Sequence, residues 1–193
     1  MNENGAGELA PPVVPAGVYT EEYYTGCCAG HEEWVRSGGA LAAGVYAHCL
    51  ALAGVAKGDV VLDVGTGRGE LLAVAVERGA SRAIGIEYAE AAIPLACQTL
   101  ERHSIRERAD VVLGAARRLP FPDASVDVVA MLDVVEHLAP DELALSFREA
   151  RRVLRRGGRI VVHTMPNLEI YSITYRVLRR IWPGGRRWPA PRG

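Results

Sequence analysis

The stretch Asp59-Val-Val-Leu-Asp-Val-Gly-Thr-Gly-Arg-Gly-Glu70 constrains the fold of this chain more than any other. Val60, Val61, Leu62 and Val64 form a short apolar run of the kind buried on both faces of a parallel sheet. The run breaks into Gly65-Thr66-Gly67-Arg68-Gly69, and a helical pattern begins at Glu70. A glycine turn between strand and helix lets the backbone approach a ligand closely. It also aims the free amides of the helix N-terminus at that ligand. Such a turn points to a nucleotide-like ligand at the carboxyl end of the first strand.

The glycine spacing narrows the chemistry. Glycines at 65, 67 and 69 read G-x-G-x-G. A dinucleotide fingerprint reads G-x-G-x-x-G, and a P-loop ends in Gly-Lys-Ser/Thr. Asp63 at the strand end would repel a phosphate and suits a cationic group better. Asp63-x-Gly65-x-Gly67-x-Gly69 resembles motif I of the class I methyltransferases that use S-adenosylmethionine. That ligand carries an ammonium and a sulfonium and no phosphate.

The remaining motifs follow in order. Ala83-Ile-Gly-Ile-Glu87 reads as the second strand, ending in an acid 18 residues past Gly69. An acid there can accept hydrogen bonds from both ribose hydroxyls. A helix over 89–103, started late or bent by Pro94, leads to the third strand at Ala109–Gly114. The family usually continues Gly-Asp-Ala, whereas this chain has Gly114-Ala115-Ala116, so an acidic side-chain contact to adenine is missing. Leu119-Pro-Phe-Pro-Asp123, the strand Ser125–Asp133 with Val134-Val-Glu-His-Leu138 after it, and the run Leu154–Val161 each match a family landmark. A helix over 141–155, with Leu143, Phe147, Val153 and Leu154 near one face, is expected to stop in a turn at Arg156-Gly157-Gly158 before a fifth strand, Arg159–Thr164. The order predicts an α/β, doubly wound Rossmann-like parallel sheet with helices on both faces. The resemblance spans about residues 58–165 and implies S-adenosylmethionine as cofactor, with S-adenosylhomocysteine as product.

At the level of residues, the resemblance assigns Asp63, Gly65, Thr66, Gly67 and Gly69 to the methionine end and Glu87 to the ribose. Tyr88, Ala115 and Ala116 would border the adenine, and Leu132 and Asp133 would lie near the sulfonium. An alcohol or phenol acceptor needs a base, whereas an amine needs only to lose a proton near neutral pH. His137 is the first base candidate, with Glu136 beside it; His163 and His31 are weaker ones. The implied reaction is in-line methyl transfer to an O or N of a small-molecule acceptor. The alternative is a non-catalytic or partner-dependent binding protein. A nicotinamide oxidoreductase is disfavoured by the glycine spacing. An RNA methyltransferase is disfavoured by a core that is not basic and by the lack of an Asn/Asp-Pro-Pro-Tyr/Phe signature after the fourth strand.

Composition bounds the rest. The 193 residues suffice for one sizeable α/β domain, and the net charge of −1 gives no reason to expect a nucleic-acid partner. Four cysteines without framework spacing suit reduced thiols in a cytoplasmic protein. Cys28 and His31 are too few for a metal, so none is expected. No apolar run approaches the length of a membrane span.

Four segments are expected: a flexible arm over 1–18, a helical lid over 19–57, the core over 58–165, and a C-terminal helix with a basic Pro/Gly-rich tail over 166–193. The lid carries Tyr19, Tyr23 and Tyr24, whose hydroxyls could reach the ligand, with Tyr24 placed at the cofactor. A helix over 40–54 should cover the sheet. Only 29 residues follow Thr164; 167–182 read as a helix, and the Pro/Gly-rich tail from Pro183 cannot supply the last two strands usual in the family. The fifth strand is therefore expected at an open edge, covered by the helix over 167–182, a second subunit or another chain.

Overall fold

The structure is a computed structural model and describes residues 12, 14–40, 42 and 44–164. Five parallel strands form one sheet: β1 Val60–Val64, β2 Arg82–Glu87, β3 Ala109–Leu113, β4 Val126–Leu132 and β5 Leu154–His163, in the spatial order β3-β2-β1-β4-β5. The chain steps outward from β1 to β3, then returns to lay β4 on the other side of β1. A crevice therefore opens between the carboxyl ends of β1 and β4, the place where open α/β sheets bind ligands.

Alternation along the strands builds two apolar layers. Val61, Ala83 and Val128 face one side, packed with Leu50, Leu71, Leu72 and Leu100 from helices α3 (Gly44–Leu52), α4 (Glu70–Glu77) and α5 (Ala92–Arg102). Leu62, Val64, Ile86, Val129 and Met131 face the other, under α6 (Pro140–Val153). A sheet covered on both faces is the reason its strands read as apolar runs. Two short helices, α1 (Glu21–Gly26) and α2 (His31–Ser37), precede this core. Pro94 is the third residue of α5, within the first turn, where its missing N–H costs nothing.

Two local expectations fail. No turn separates α6 from the last strand: β5 runs through Arg156-Gly157-Gly158. Val126 pairs with Leu154 but Val128 with Arg159, and Gly157 at φ +80° lets the extra residues bulge while the ladder resumes. The buried face of α6 keeps only Val153 of the expected Leu143, Phe147, Val153 and Leu154. It consists of Glu142, Ser146, Ala150 and Val153, while Phe147 is exposed. Small Ser146 and Ala150 bring the helix close to the sheet, and Glu142 can turn inward because its Oε2 accepts the Ala139 N–H at 3.2 Å. Among the described residues β5 is an outer strand, with Ile160 and Val162 exposed. The expected helix over 167–182 and the tail lie outside the described residues, as does most of the arm over 1–18. No helix among the described residues is long and apolar enough to cross a membrane.

Candidate active site

The turn after β1 is held in shape by three left-handed glycines, Gly65 (φ +76°), Gly67 (φ +51°) and Gly69 (φ +77°). Two of them also have no room for a side chain. A Cβ on Gly65 would run into Val134 at the end of β4, and one on Gly69 would sit 3.2 Å from the Ala96 Cα. The loop is tied to the end of β2, where the Gly65 and Thr66 amides donate to the Ile86 carbonyl at 2.8 and 3.1 Å. There the Gly67 N–H donates to Glu87 Oε2 at 2.7 Å. Glu87 Oε1 accepts from the Tyr88 and Ala89 amides at 2.7 and 2.9 Å, and from the Tyr24 hydroxyl at 3.4 Å. These donors keep a buried carboxylate solvated by protein. Oε1 is saturated, whereas Oε2 has one donor and can accept more.

Asp63 is buried at the end of β1. Burial, and then the charge of Glu87, push its carboxyl up to about 7. The Thr66 hydroxyl favours the charged form from nearby, but Thr66 Oγ1 completes no hydrogen bond of good geometry. Thr66 leans over β2, and Gly85 leaves the space: a Cβ there would lie 2.6 Å from Thr66 Cγ2.

The N-terminal segment closes over this loop through Arg68, which is only 3% exposed. Its Nη1 donates to the Tyr24 carbonyl and its Nη2 to the Ala29 carbonyl, both at 2.6 Å. Nε and Nη2 also donate to Glu70 Oε2 at 2.9 and 2.7 Å, and the guanidinium lies 5.9 Å from the centre of the Trp34 ring. Trp34 Nε1 in turn donates to Thr99 Oγ1 on α5 at 2.9 Å. Tyr24 sits buried between Arg68 and Glu87, and burial together with the Glu87 charge raises its hydroxyl pKa.

Between this segment and the strand ends lies a cavity of about 540 Å³. The structure brings to its wall Tyr24, Asp63, Gly65, Thr66, Gly67, Glu87, Tyr88, Ala115, Ala116, Leu132, Asp133, Glu136 and His137. Gly69 stands behind the wall as the N-cap of α4. His137 ends a single 3-10 turn, Val135–His137, with its ring edge-on to Tyr19 at 5.7 Å. Tyr19 also meets Tyr23 edge-on at 5.3 Å. His163 is not on the wall; its Nδ1 lies 2.7 Å from Asp133 Oδ1. His31 faces a separate, smaller pocket and bonds the Cys28 carbonyl at 2.9 Å. No group of three metal-ligating side chains occurs among the described residues.

Sequence reasoning missed Arg68, Glu70 and Tyr46, all of which line the cavity. The only signal was an opposite-charge pair flanking Gly69 at the start of an apolar helix. The donor set fits the cofactor that the resemblance implies. Glu87, with one donor on Oε2, lines the cavity beside the glycine loop. Asp63, Glu70 and Glu87 form an acidic end for a cation, and Thr66 Oγ1 and Glu70 Oε1 are buried polar atoms without a hydrogen-bond partner among the described residues.

Comparison with known proteins agrees. The family model described as "Methyltransferase domain" matches residues 62–162, more than half of the chain. The 27-O-demethylrifamycin SV methyltransferase of Amycolatopsis mediterranei is 34% identical over 54% of this chain and 38% of its own length. A probable S-adenosylmethionine-dependent methyltransferase of Mycolicibacterium smegmatis is 39% identical over 60% of this chain and 41% of its own length. The crystal structure of the YcgJ protein from Bacillus subtilis superposes with a TM-score of 0.56 at 26% identity, covering 70% of this chain and 58% of that one. The chain thus spans about two fifths of the length of these curated relatives. From the glycine loop, the acid at the end of β2 and this match together, the chain belongs to the class I S-adenosylmethionine-dependent methyltransferase family.

Proposed function

We propose that this chain binds S-adenosylmethionine in the cavity under α1 and α2 and transfers its methyl group, in line, to an oxygen or nitrogen of a small-molecule acceptor. The observation that carries the proposal is the Glu87 carboxylate, fixed by the Tyr88, Ala89 and Gly67 amides with acceptor capacity left on Oε2. Bound S-adenosylmethionine supplies a methyl group activated by an adjacent sulfonium. Glu87 holds the ribose hydroxyls, and Tyr88, Ala115 and Ala116 border the adenine. Leu132 and Asp133 flank the sulfonium. Because a thioether leaves readily, the protein's task is alignment and exclusion of water. Residues 19–39 serve as the lid that does the latter.

His137, on the wall beside Glu136 and Tyr19, accepts the proton of a hydroxyl acceptor. One relative is by name a methyltransferase of a demethylated oxygen, which supports an O-acceptor. The same reading places the protein in the cytoplasm and expects a homodimer or partner across the β5 edge; light scattering of the protein alone tests the latter. Titration calorimetry with S-adenosylhomocysteine tests the whole. Binding by the intact protein is expected, weakened by about 1.5–3 kcal/mol in Glu87→Ala, as for hydrogen bonds to a charged group. No binding, or equal binding of NAD, refutes the reading.

A further inference from the structure

We propose that Asp133, held in place by His163, makes the site prefer the cationic methyl donor to its neutral product, with His163 as the positioning residue. The proposal rests on the methyltransferase reading and goes beyond it. Among the described residues, three other than glycine take a left-handed φ: Ser104, Ala124 and Asp133. Of these only Asp133, at φ +55°, lines the cavity. Such conformations persist where the surrounding contacts fix them, and they gather at ligand sites.

One residue does the fixing. β4 and β5 pair to their ends, with Leu132 opposite His163. The Asp133 N–H then donates to the His163 carbonyl at 2.8 Å, and the His163 ring reaches back, its Nδ1 2.7 Å from Asp133 Oδ1. A carboxylate only accepts, so Nδ1 carries the proton. Backbone and side chain of Asp133 are thus tied to the same neighbour, while 34% of the side chain stays open. His163 itself is not on the cavity wall, so it acts on a ligand through Asp133.

The charge of Asp133 is felt inside the cavity. Burial leads the rise in the pKa of Cys28, a wall residue; Arg68 opposes it, and the Asp133 carboxylate adds to it. Burial and then Asp133 raise the Cys49 thiol on α3 in the same way. The sheet gives the scale. Glu87 ends β2 and Asp133 follows β4, with β1 between them. Neighbouring strands stand about 4.8 Å apart, so the two tips are about 10 Å apart. With the ribose on Glu87, the sulfur, two bonds beyond the sugar ring, falls between these tips. A sulfonium is a full positive charge there and a thioether is none, while the rest of the two molecules is the same. An anion at the β4 tip is therefore what tells them apart, and a site with that bias exchanges spent product for fresh donor.

Calorimetry on the intact protein tests this with three ligands: S-adenosylmethionine, S-adenosylhomocysteine, and sinefungin, in which a carbon bearing an ammonium replaces the methylated sulfur. Asp133→Asn removes only the charge, since asparagine also tolerates a left-handed φ and can accept from His163. It should weaken S-adenosylmethionine and sinefungin roughly tenfold and leave S-adenosylhomocysteine within about twofold. His163→Leu frees the carboxylate and should move the same ratio in the same direction by less. His163→Asn, whose amide can donate in place of Nδ1, should restore it. An Asp133→Asn variant that weakens all three ligands alike, or none, overturns the proposal, for the pair then only joins β4 to β5. A His163→Leu variant with a stronger preference for S-adenosylmethionine also overturns it, because His163 then opposes the carboxylate instead of positioning it. Failure of the wild type to bind any of the three is a different result and removes the methyltransferase reading itself.

Discussion

Replacing Arg68 by Met should destabilise the protein by about 3 kcal/mol, and the loss should appear first in the N-terminal segment. The side chain is buried and makes four hydrogen bonds to three acceptors, Glu70 Oε2, the Tyr24 carbonyl and the Ala29 carbonyl. Met keeps most of the volume and removes the charge. Breaking a buried ion pair by deleting one partner costs about 3–5 kcal/mol, because the other charge stays buried and unpaired. Losing the Trp34 contact adds about 0.5–1 kcal/mol. Two effects hold the total at the lower end. Glu70 can take up a proton, and α1 and α2 can lift off, returning the two carbonyls to water. The loss is then capped by the cost of undocking residues 21–37.

Urea unfolding gives the total, and amide exchange across α1 and α2 gives its place. Arg68→Met with Glu70→Met should recover most of the loss, since an apolar pair leaves no orphaned charge. A single variant within about 1 kcal/mol of wild type refutes the argument from burial. A double variant no better than the single one shifts the energy from the ion pair to the two carbonyl tethers.

Asp63, pushed up to about 7, is largely protonated in the free protein below that pH, and its charged form is the one that favours a cationic ligand. Affinity for S-adenosylmethionine should therefore rise as pH goes from 6 to 8, with proton release seen in calorimetry in buffers of different ionisation enthalpy. Asp63→Asn should flatten the dependence, and an unchanged slope in that variant assigns the proton elsewhere. For stability the sign is opposite: a carboxyl whose pKa is raised by folding contributes less as pH climbs from its unfolded value near 4 to about 7. Once a hydroxyl acceptor is identified, His137→Ala should lower turnover roughly a hundredfold with unchanged cofactor affinity; a drop of only a few-fold returns His137 to a packing role. Gly65→Ala combines a left-handed φ with a collision against Val134 and should cost about 1–3 kcal/mol in urea unfolding and abolish ligand binding. Wild-type affinity in that variant contradicts the close approach of loop and β4.

The parts of this structure legible in the sequence were those written in backbone requirements. The five strands announce themselves because a doubly covered sheet demands runs such as Val60–Val64. The glycines at 65, 67 and 69 stand where φ is positive, and Glu87 was found because an acid at a strand end is out of place without a partner. What stayed hidden depended on partners far along the chain. Arg68 looks like a variable residue between two glycines until Tyr24 and Ala29 fold onto it. Asp133 and His163 were noted apart, and only the pairing of β4 with β5 brings them to 2.7 Å. The buried face of α6 was misjudged because apolar size suggested Leu143 and Phe147. Close approach to the sheet favoured Ser146 and Ala150 instead.

The tether between Arg68 and the N-terminal segment also sets an order of assembly. Residues 24 and 29 leave the ribosome well before their anchor, 44 and 39 positions later, and α1 and α2, at six and seven residues, are too short to hold their shape alone. They have nothing to dock on until β1, the glycine turn and α4 exist, and Trp34 must wait further for Thr99. Residues 21–37 are thus made before the elements they dock on and find their place after them. In a nascent protein this segment stays unstructured beside a half-built sheet, where chaperones and proteases can reach it. A variant that weakens the tether therefore lowers the yield of protein in the cell before it lowers any rate the purified protein shows.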